Sequence, residues 1–126
     1  MQGKKVLVID DDFHTSHLVE AAFVEVGAEV VTAVDGPDGL RQFNTHKPDL
    51  VIIDLMTPEM DGWETTERIL EIADVPIIML TSLRDDADAI RGLEWGDIDF
   101  VTKPFSPKVL AARARAALRY GAHDNS

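Results

Sequence analysis

An α/β fold is predicted, a doubly wound five-stranded parallel sheet in the order 2-1-3-4-5 with five helices, and three observations carry the prediction. Strand and helix signals alternate five times along the 126 residues. The strand signals are short apolar runs, the pattern of parallel strands buried on both faces. Four of these runs stop at polar residues: 6–9 at Asp10 and Asp11, 50–53 at Asp54, 77–80 at Thr81, and 100–102 at Lys103. Right-handed crossovers bring the carboxyl ends of parallel strands to one edge, with a switch of direction beside the first and third strands. Asp10, Asp11 and Asp54 are thereby expected at one crevice.

The elements follow in order. Residues 6–9 make the first strand, and a helix over 13–26 places Leu18, Ala22 and Val26 on one face before closing at Gly27. The second strand, 29–34, intersperses polar residues with apolar ones, which suits a sheet edge. Asp35-Gly36 turns the chain into a short helix carrying Leu40 and Phe43, and Pro48 ends it. After the third strand, 50–53, Asp61-Gly62 precedes a helix through about Ile72 with Trp63, Ile69, Leu70 and Ile72 as apolar candidates. Pro76 restarts the strand pattern; 77–80 is the fourth strand, 85–94 a polar helix with Ala87, Ile90 and Leu93, and 99–102 the fifth strand. Pro107 opens an Ala-rich last helix in which Val109, Leu110, Ala114, Ala117 and Leu118 pack inward while Arg113, Arg115 and Arg119 stay in water. Gly36 and Gly62 read as turn residues.

Composition sets the outer bounds. A chain of this length with 45% hydrophobic residues buries about two thirds of its unfolded surface, enough for one core. One domain over 1–120 is expected, with 121–126 as a flexible tail or linker stub. No cysteine is present, so disulfides and thiolate metal sites are excluded. The first residues lack a signal-peptide pattern, and no apolar run approaches the roughly 20 residues that cross a bilayer, so a cytoplasmic location is expected. The formal charge of −11 opposes binding to nucleic acid or to an anionic membrane.

Carboxylates, a hydroxyl and an ammonium gathered at one edge can bind a hard cation and move a phosphoryl group. A carboxylate beside a divalent cation can attack a phosphoryl donor and become an acyl phosphate, because metal and ammonium neutralise the oxygens that would repel it. Asp54 is the nucleophile on this reading. The plainer roles are a strand end or helix cap for Asp10, Asp11 and Asp12, a strand residue for Thr81 and a solvated loop lysine for Lys103. Asp12 or Thr15 fits the cap best, and His14 and His17 read as exposed helix residues rather than ligands.

Taken together, Val8-Ile9-Asp10-Asp11-Asp12, the stretch from Asp54 through Met56, Thr57, Pro58 and Asp61 to Gly62, Thr81-Ser82 and Lys103-Pro104-Phe105 resemble, in order, the motifs of two-component response-regulator receiver domains. The resemblance spans nearly the whole chain and implies a flavodoxin-like fold. It implies Mg²⁺ held by Asp11, Asp54 and the backbone carbonyl of Met56, with Asp10 holding a coordinated water. It further implies that Lys103 pairs with the phosphoryl group, that Thr81 donates a hydrogen bond to it, and that the Lys103–Pro104 bond is cis. Phosphorylation by a histidine kinase or phosphotransfer protein is expected to move Thr81 and turn Phe100 inward. That movement remodels the face formed by the fourth helix, fifth strand and last helix, which controls a protein partner or fused output domain; the domain contacts neither nucleic acid nor membrane.

Several positions depart from the family. Phe100 stands where Tyr is commoner and, lacking a hydroxyl, is expected to favour the inward position before phosphorylation. Ser82 replaces a smaller residue, and Met56 and Leu83 are apolar where receivers that lose phosphate quickly resemble ones with polar groups; a slowly hydrolysing phosphoform is expected. Arg91, Asp99 and Arg113 match receivers that form homodimers through charged pairs, whereas Ile98, Val109 and Tyr120 stand where charged partners belong, and Trp95 replaces a small residue; a homodimer remains open. The preferred function is a signalling switch that catalyses only its own aspartyl phosphorylation and dephosphorylation. Two alternatives are an aspartyl-nucleophile phosphatase, disfavoured by Met56 and the absence of a cap, and a phosphorylation-independent adaptor, disfavoured by the retained Asp11, Asp54, Thr81 and Lys103.

Overall fold

A computed structural model describes residues 1–55, 61–81 and 98–121. Five strands, β1 (Lys5–Ile9), β2 (Glu29–Ala33), β3 (Leu50–Asp54), β4 (Ile77–Thr81) and β5 (Ile98–Thr102), form one parallel sheet in the order β2-β1-β3-β4-β5. This is the predicted doubly wound topology, with β2 at an edge as its mixed polarity suggested. Four helices are described: α1 (Phe13–Glu25), α2 (Gly36–His46), α3 (Gly62–Ile72) and a last helix (Pro107–Gly121). The helix expected over 85–94 lies outside the described residues, as do 122–126 of the expected tail.

Each helix begins where a side chain accepts an otherwise unpaired backbone N–H. Asp12 accepts from His14 at 3.0 Å, Asp35 from Asp38 at 2.8 Å, Asp61 from Glu64 at 2.8 Å, and Ser106 from Val109 at 3.3 Å. Of the two candidates read from the sequence, Asp12 is therefore the α1 cap, and the Thr15 hydroxyl donates to it at 2.8 Å. Gly27, at φ 91°, follows the end of α1 in a conformation that favours glycine.

Alternation along the strands divides the core in two. Val6 and Val8, with Leu50, Ile52, Ile78 and Leu80, face α1 and the last helix. Leu7 and Ile9, with Val51, Ile53, Ile77 and Met79, face α2 and α3. Two predicted helix faces require correction. In α1 the sheet covers Ser16, Val19 and Phe23, and Leu18 is exposed, because the helix docks about one position around from the expected stripe. In the last helix Leu110, Ala111 and Ala114 are buried and Val109 is exposed. Ile72, at the end of α3, is also exposed, since the helix leaves the sheet there.

Candidate functional site

β1 ends at Ile9, and Asp10 follows with its backbone N–H still bonded to Ala33 across the sheet at 3.0 Å. The side chain is thereby drawn to the carboxyl edge yet only 1% of the residue is exposed. The Asp12 backbone N–H donates to Asp10 Oδ1 at 2.9 Å, while Ser16 Oγ on α1 donates to the Asp10 carbonyl at 3.4 Å. Asp54 is the last residue of β3 and is likewise buried. Asp11 is exposed at the rim. The three aspartates each present an oxygen within 4.8 Å of the others, so the strands converge the carboxylates that the sequence separated.

Lys103 enters from the end of β5. Its backbone N–H donates to the Thr81 carbonyl at 2.8 Å, which fixes where its side chain starts. Nζ then lies 2.9 Å from Asp54 Oδ2 and 3.8 Å from Asp10 Oδ2. The Lys103–Pro104 peptide is cis. Thr81, the last residue of β4 and cross-strand neighbour of Thr102, is buried beside this pair.

Burial and charge act on the protonation of Asp10 and Lys103. Burial, together with the charges of Asp54 and Asp11, raises the Asp10 carboxyl to about 6; the Asp12 hydrogen bond and Lys103 oppose the rise without cancelling it. For Lys103 burial is the largest single influence and acts against its charge, yet the Asp54 hydrogen bond and the charges of Asp10 and Asp54 outweigh it and hold the ammonium above its ordinary value. Exposed Asp12 is held below the usual range by the Thr15 hydroxyl and the His14 amide. Among the described residues, Asp10 Oδ2 is buried without a hydrogen-bond partner. An oxygen-only donor set with one buried oxygen left over matches a hard divalent cation that retains waters, and attracting one relieves the mutual repulsion of three carboxylates.

Two supporting features were not foreseen. Gly62 was read as a turn residue, but it opens α3 against the backbone that follows the site aspartate: a Cβ there would stand 2.7 Å from Leu55 Cα and 2.9 Å from the Asp54 carbonyl. The glycine is required by this close approach, which no local turn signal encodes. Phe100, half-buried on β5, packs against buried Trp63, with ring centroids 5.7 Å apart and an interplanar angle of 54°. Trp63 was legible as an apolar candidate and Phe100 as an inward-turning aromatic, but nothing in their spacing pairs them. The expected ligand Met56 and the tuning residues Ser82 and Leu83 lie outside the described residues, as do Arg91 and Trp95. Asp99 and Arg113, proposed from sequence for pairs between copies, pair within the chain, one Arg113 guanidinium nitrogen donating to both Asp99 carboxylate oxygens at 3.1 and 3.0 Å.

Residues 6–115 match the sequence pattern described as the response regulator receiver domain. The chain is 47% identical over 116 residues to a probable transcriptional regulator ycf27 of Cyanophora paradoxa, covering 92% of this chain and 48% of that protein. It is 40% identical over 121 residues to the transcriptional regulatory protein AfsQ1 of Streptomyces coelicolor, covering 96% and 54% respectively. The chain thus spans about half the length of the curated relatives it matches. Among solved structures, the receiver domain of the Francisella response regulator 1452 superposes with a TM-score of 0.84 at 34% identity, covering 94% of this chain and 98% of that one.

Proposed function

The chain belongs to the response regulator receiver domain family, and on that premise we propose that it is a phosphorylation-controlled switch whose phosphoacceptor is Asp54. The observation that carries the reading is the contact of Lys103 Nζ with Asp54 Oδ2 at 2.9 Å inside a cluster of three aspartates. Asp11, Asp54 and the Met56 carbonyl would hold Mg²⁺, with Asp10 binding one of its waters. When bound, the metal supplies positive charge to phosphoryl oxygens.

The chain's own groups do the rest. The Asp54 carboxylate attacks the phosphorus of a donor, forming an acyl phosphate as the bond to the donor's leaving group breaks and that group takes the electron pair. Lys103, kept charged by its carboxylate neighbours, then pairs with a phosphoryl oxygen, while Thr81 donates its hydroxyl to another. Burial of Asp10 and Asp54 strengthens these interactions by excluding water. The donor is a histidine kinase or phosphotransfer protein, and the readout is carried by Thr81 and by Phe100 against Trp63 to a protein partner or an attached output domain. The apolar side chains of Met56 and Leu83 offer no group to orient an attacking water, so the phosphoform is long-lived.

Incubation with Mg²⁺ and acetyl phosphate, followed by mass spectrometry, tests this reading. One stable phosphoryl group that maps to Asp54 and disappears in Asp54→Ala is expected. Turnover of acetyl phosphate without accumulation identifies a phosphatase instead, and inertness identifies a phosphorylation-independent adaptor.

A further inference from the structure

The chain distributes its charge unevenly. The last helix carries Lys108, Arg113, Arg115 and Arg119 and no acidic residue, within a protein of net charge −11. Arg113 is matched by Asp99. Lys108, Arg115 and Arg119 recur at a spacing that places them along one flank of the helix. Two cavities that share Arg115 open along this flank. One, of about 290 Å³, lies in the seam with α1 and is lined by Ala22, Glu25, Val26, Lys108, Ala111 and Arg115. The other, of about 230 Å³, is lined by Met1, Lys4, Arg115, Leu118 and Arg119.

Four cations and one carboxylate, Glu25, therefore line a groove made of these two cavities joined at Arg115, whose remaining lining is aliphatic. Among the described residues, Lys4, Lys108 and Arg115 form no ion pair. Lys108 also stands in the first turn of its helix, at the positive end of the macrodipole, where a cation is disfavoured. Folding gains nothing from that placement. The groove instead presents a local field opposite in sign to that of the whole chain, which selects anionic partners.

We propose that this groove docks an acidic amphipathic segment of another protein, with carboxylates against Lys108, Arg115, Arg119 and Lys4 and an apolar side chain against Met1 and Leu118. A nucleic acid is a poorer occupant, because a long polyanion extends beyond the groove into the repulsive field of the other surfaces, whereas a short segment spans only the lining, where the cations outnumber Glu25. Lys4 precedes β1 and Arg119 lies near the end of the last helix, both at the edge of the sheet away from Asp54, whereas Lys108 opens that helix at the carboxyl edge. The apolar contact at Met1 and Leu118 therefore lies at the end of the groove away from the aspartate cluster.

The probe is a fluorescein-labelled synthetic peptide of glutamate and leucine, titrated at low salt and followed by anisotropy and by amide shifts in ¹⁵N spectra. Saturable binding is expected, with shifts confined to residues 1–4, the end of α1 and the last helix, and loss of binding as salt rises. Arg115→Gln with Arg119→Gln should weaken it about tenfold, the effect of losing two exposed charge pairs. Arg113→Gln should leave it unchanged, and the double variant should retain its circular dichroism and its labelling by acetyl phosphate. Absence of saturable binding, indifference to the double substitution, or tighter binding of a DNA duplex in the same groove would each overturn the proposal.

Discussion

At the carboxyl edge of the sheet Lys103 lies 2.9 Å from Asp54 and 3.8 Å from Asp10, and both carboxylates are nearly sealed from water; at the opposite edge Lys4, Arg115 and Arg119 stand in solvent around an open groove. The same chemical groups thus have different consequences. In the first region charges interact through a medium of low polarisability, so they alter the protonation of Asp10 and Lys103 and the energy of the fold. In the second, water and salt screen them, and they act on molecules that approach rather than on folding.

The largest effect that sharpens this contrast belongs to Asp10. Its carboxyl is raised in the folded chain to about 6 from an ordinary 3.8, so the folded metal-free protein retains a proton that the unfolded chain releases between those values. Stability must therefore decline as pH rises through that window and stay lower above it. Asp10→Asn, whose amide oxygen can still accept from Asp12, should remove the decline and stabilise the metal-free protein at pH 7 by up to about 3 kcal/mol. Urea unfolding in EDTA at several pH values measures both. A pH-independent difference between the variants would break the assignment.

Removal of the ammonium comes next. Lys103→Met should slow labelling by acetyl phosphate on the order of a hundredfold, a typical loss for one positioned donor at a developing charge. The same change leaves the aspartates uncompensated and should tighten divalent-cation binding, measurable by calorimetry. Slower labelling with weaker metal binding would indicate a collapsed site. Gly62→Ala should cost about 2 kcal/mol, because its Cβ meets backbone at Leu55 and Asp54 rather than the end of a flexible side chain; thermal unfolding reports it. At the far end the effects should vanish into small numbers. Asp99→Asn, which breaks a half-exposed ion pair, should cost no more than about 1 kcal/mol, and Arg115→Gln should change stability by less than about 0.5 kcal/mol. A destabilisation at Arg115 as large as that at Gly62 would erase the distinction between the two edges.

The strand order and the meeting of Asp10, Asp11, Asp54, Thr81 and Lys103 were readable because each follows or ends a short apolar run, and parallel topology converts that shared position into proximity. The packed face of α1 was less readable. Phe13, Leu18, Val19, Ala22, Phe23, Val24 and Val26 surround much of the helix, so periodicity alone allows several faces, and docking against Val6 and Val8 selects Val19 and Phe23. Val109 and Ala111 exchange roles for the same reason: Leu110 anchors the last helix, and the surrounding geometry decides which neighbour turns in.

By itself the sequence determined the alternation of elements, the turns at Asp35-Gly36 and Asp61-Gly62 that open two helices, and the family to which the chain belongs, since these depend on local spacing and short motifs. Only the tertiary structure decided that Asp10 is buried enough to resist ionisation, that Gly62 touches the backbone beyond Asp54, that Trp63 meets Phe100, and that cations from the chain's start and its last helix share one groove. Those properties arise from distances between residues remote in the chain and from the water that packing excludes, and neither quantity is written in the order of the residues.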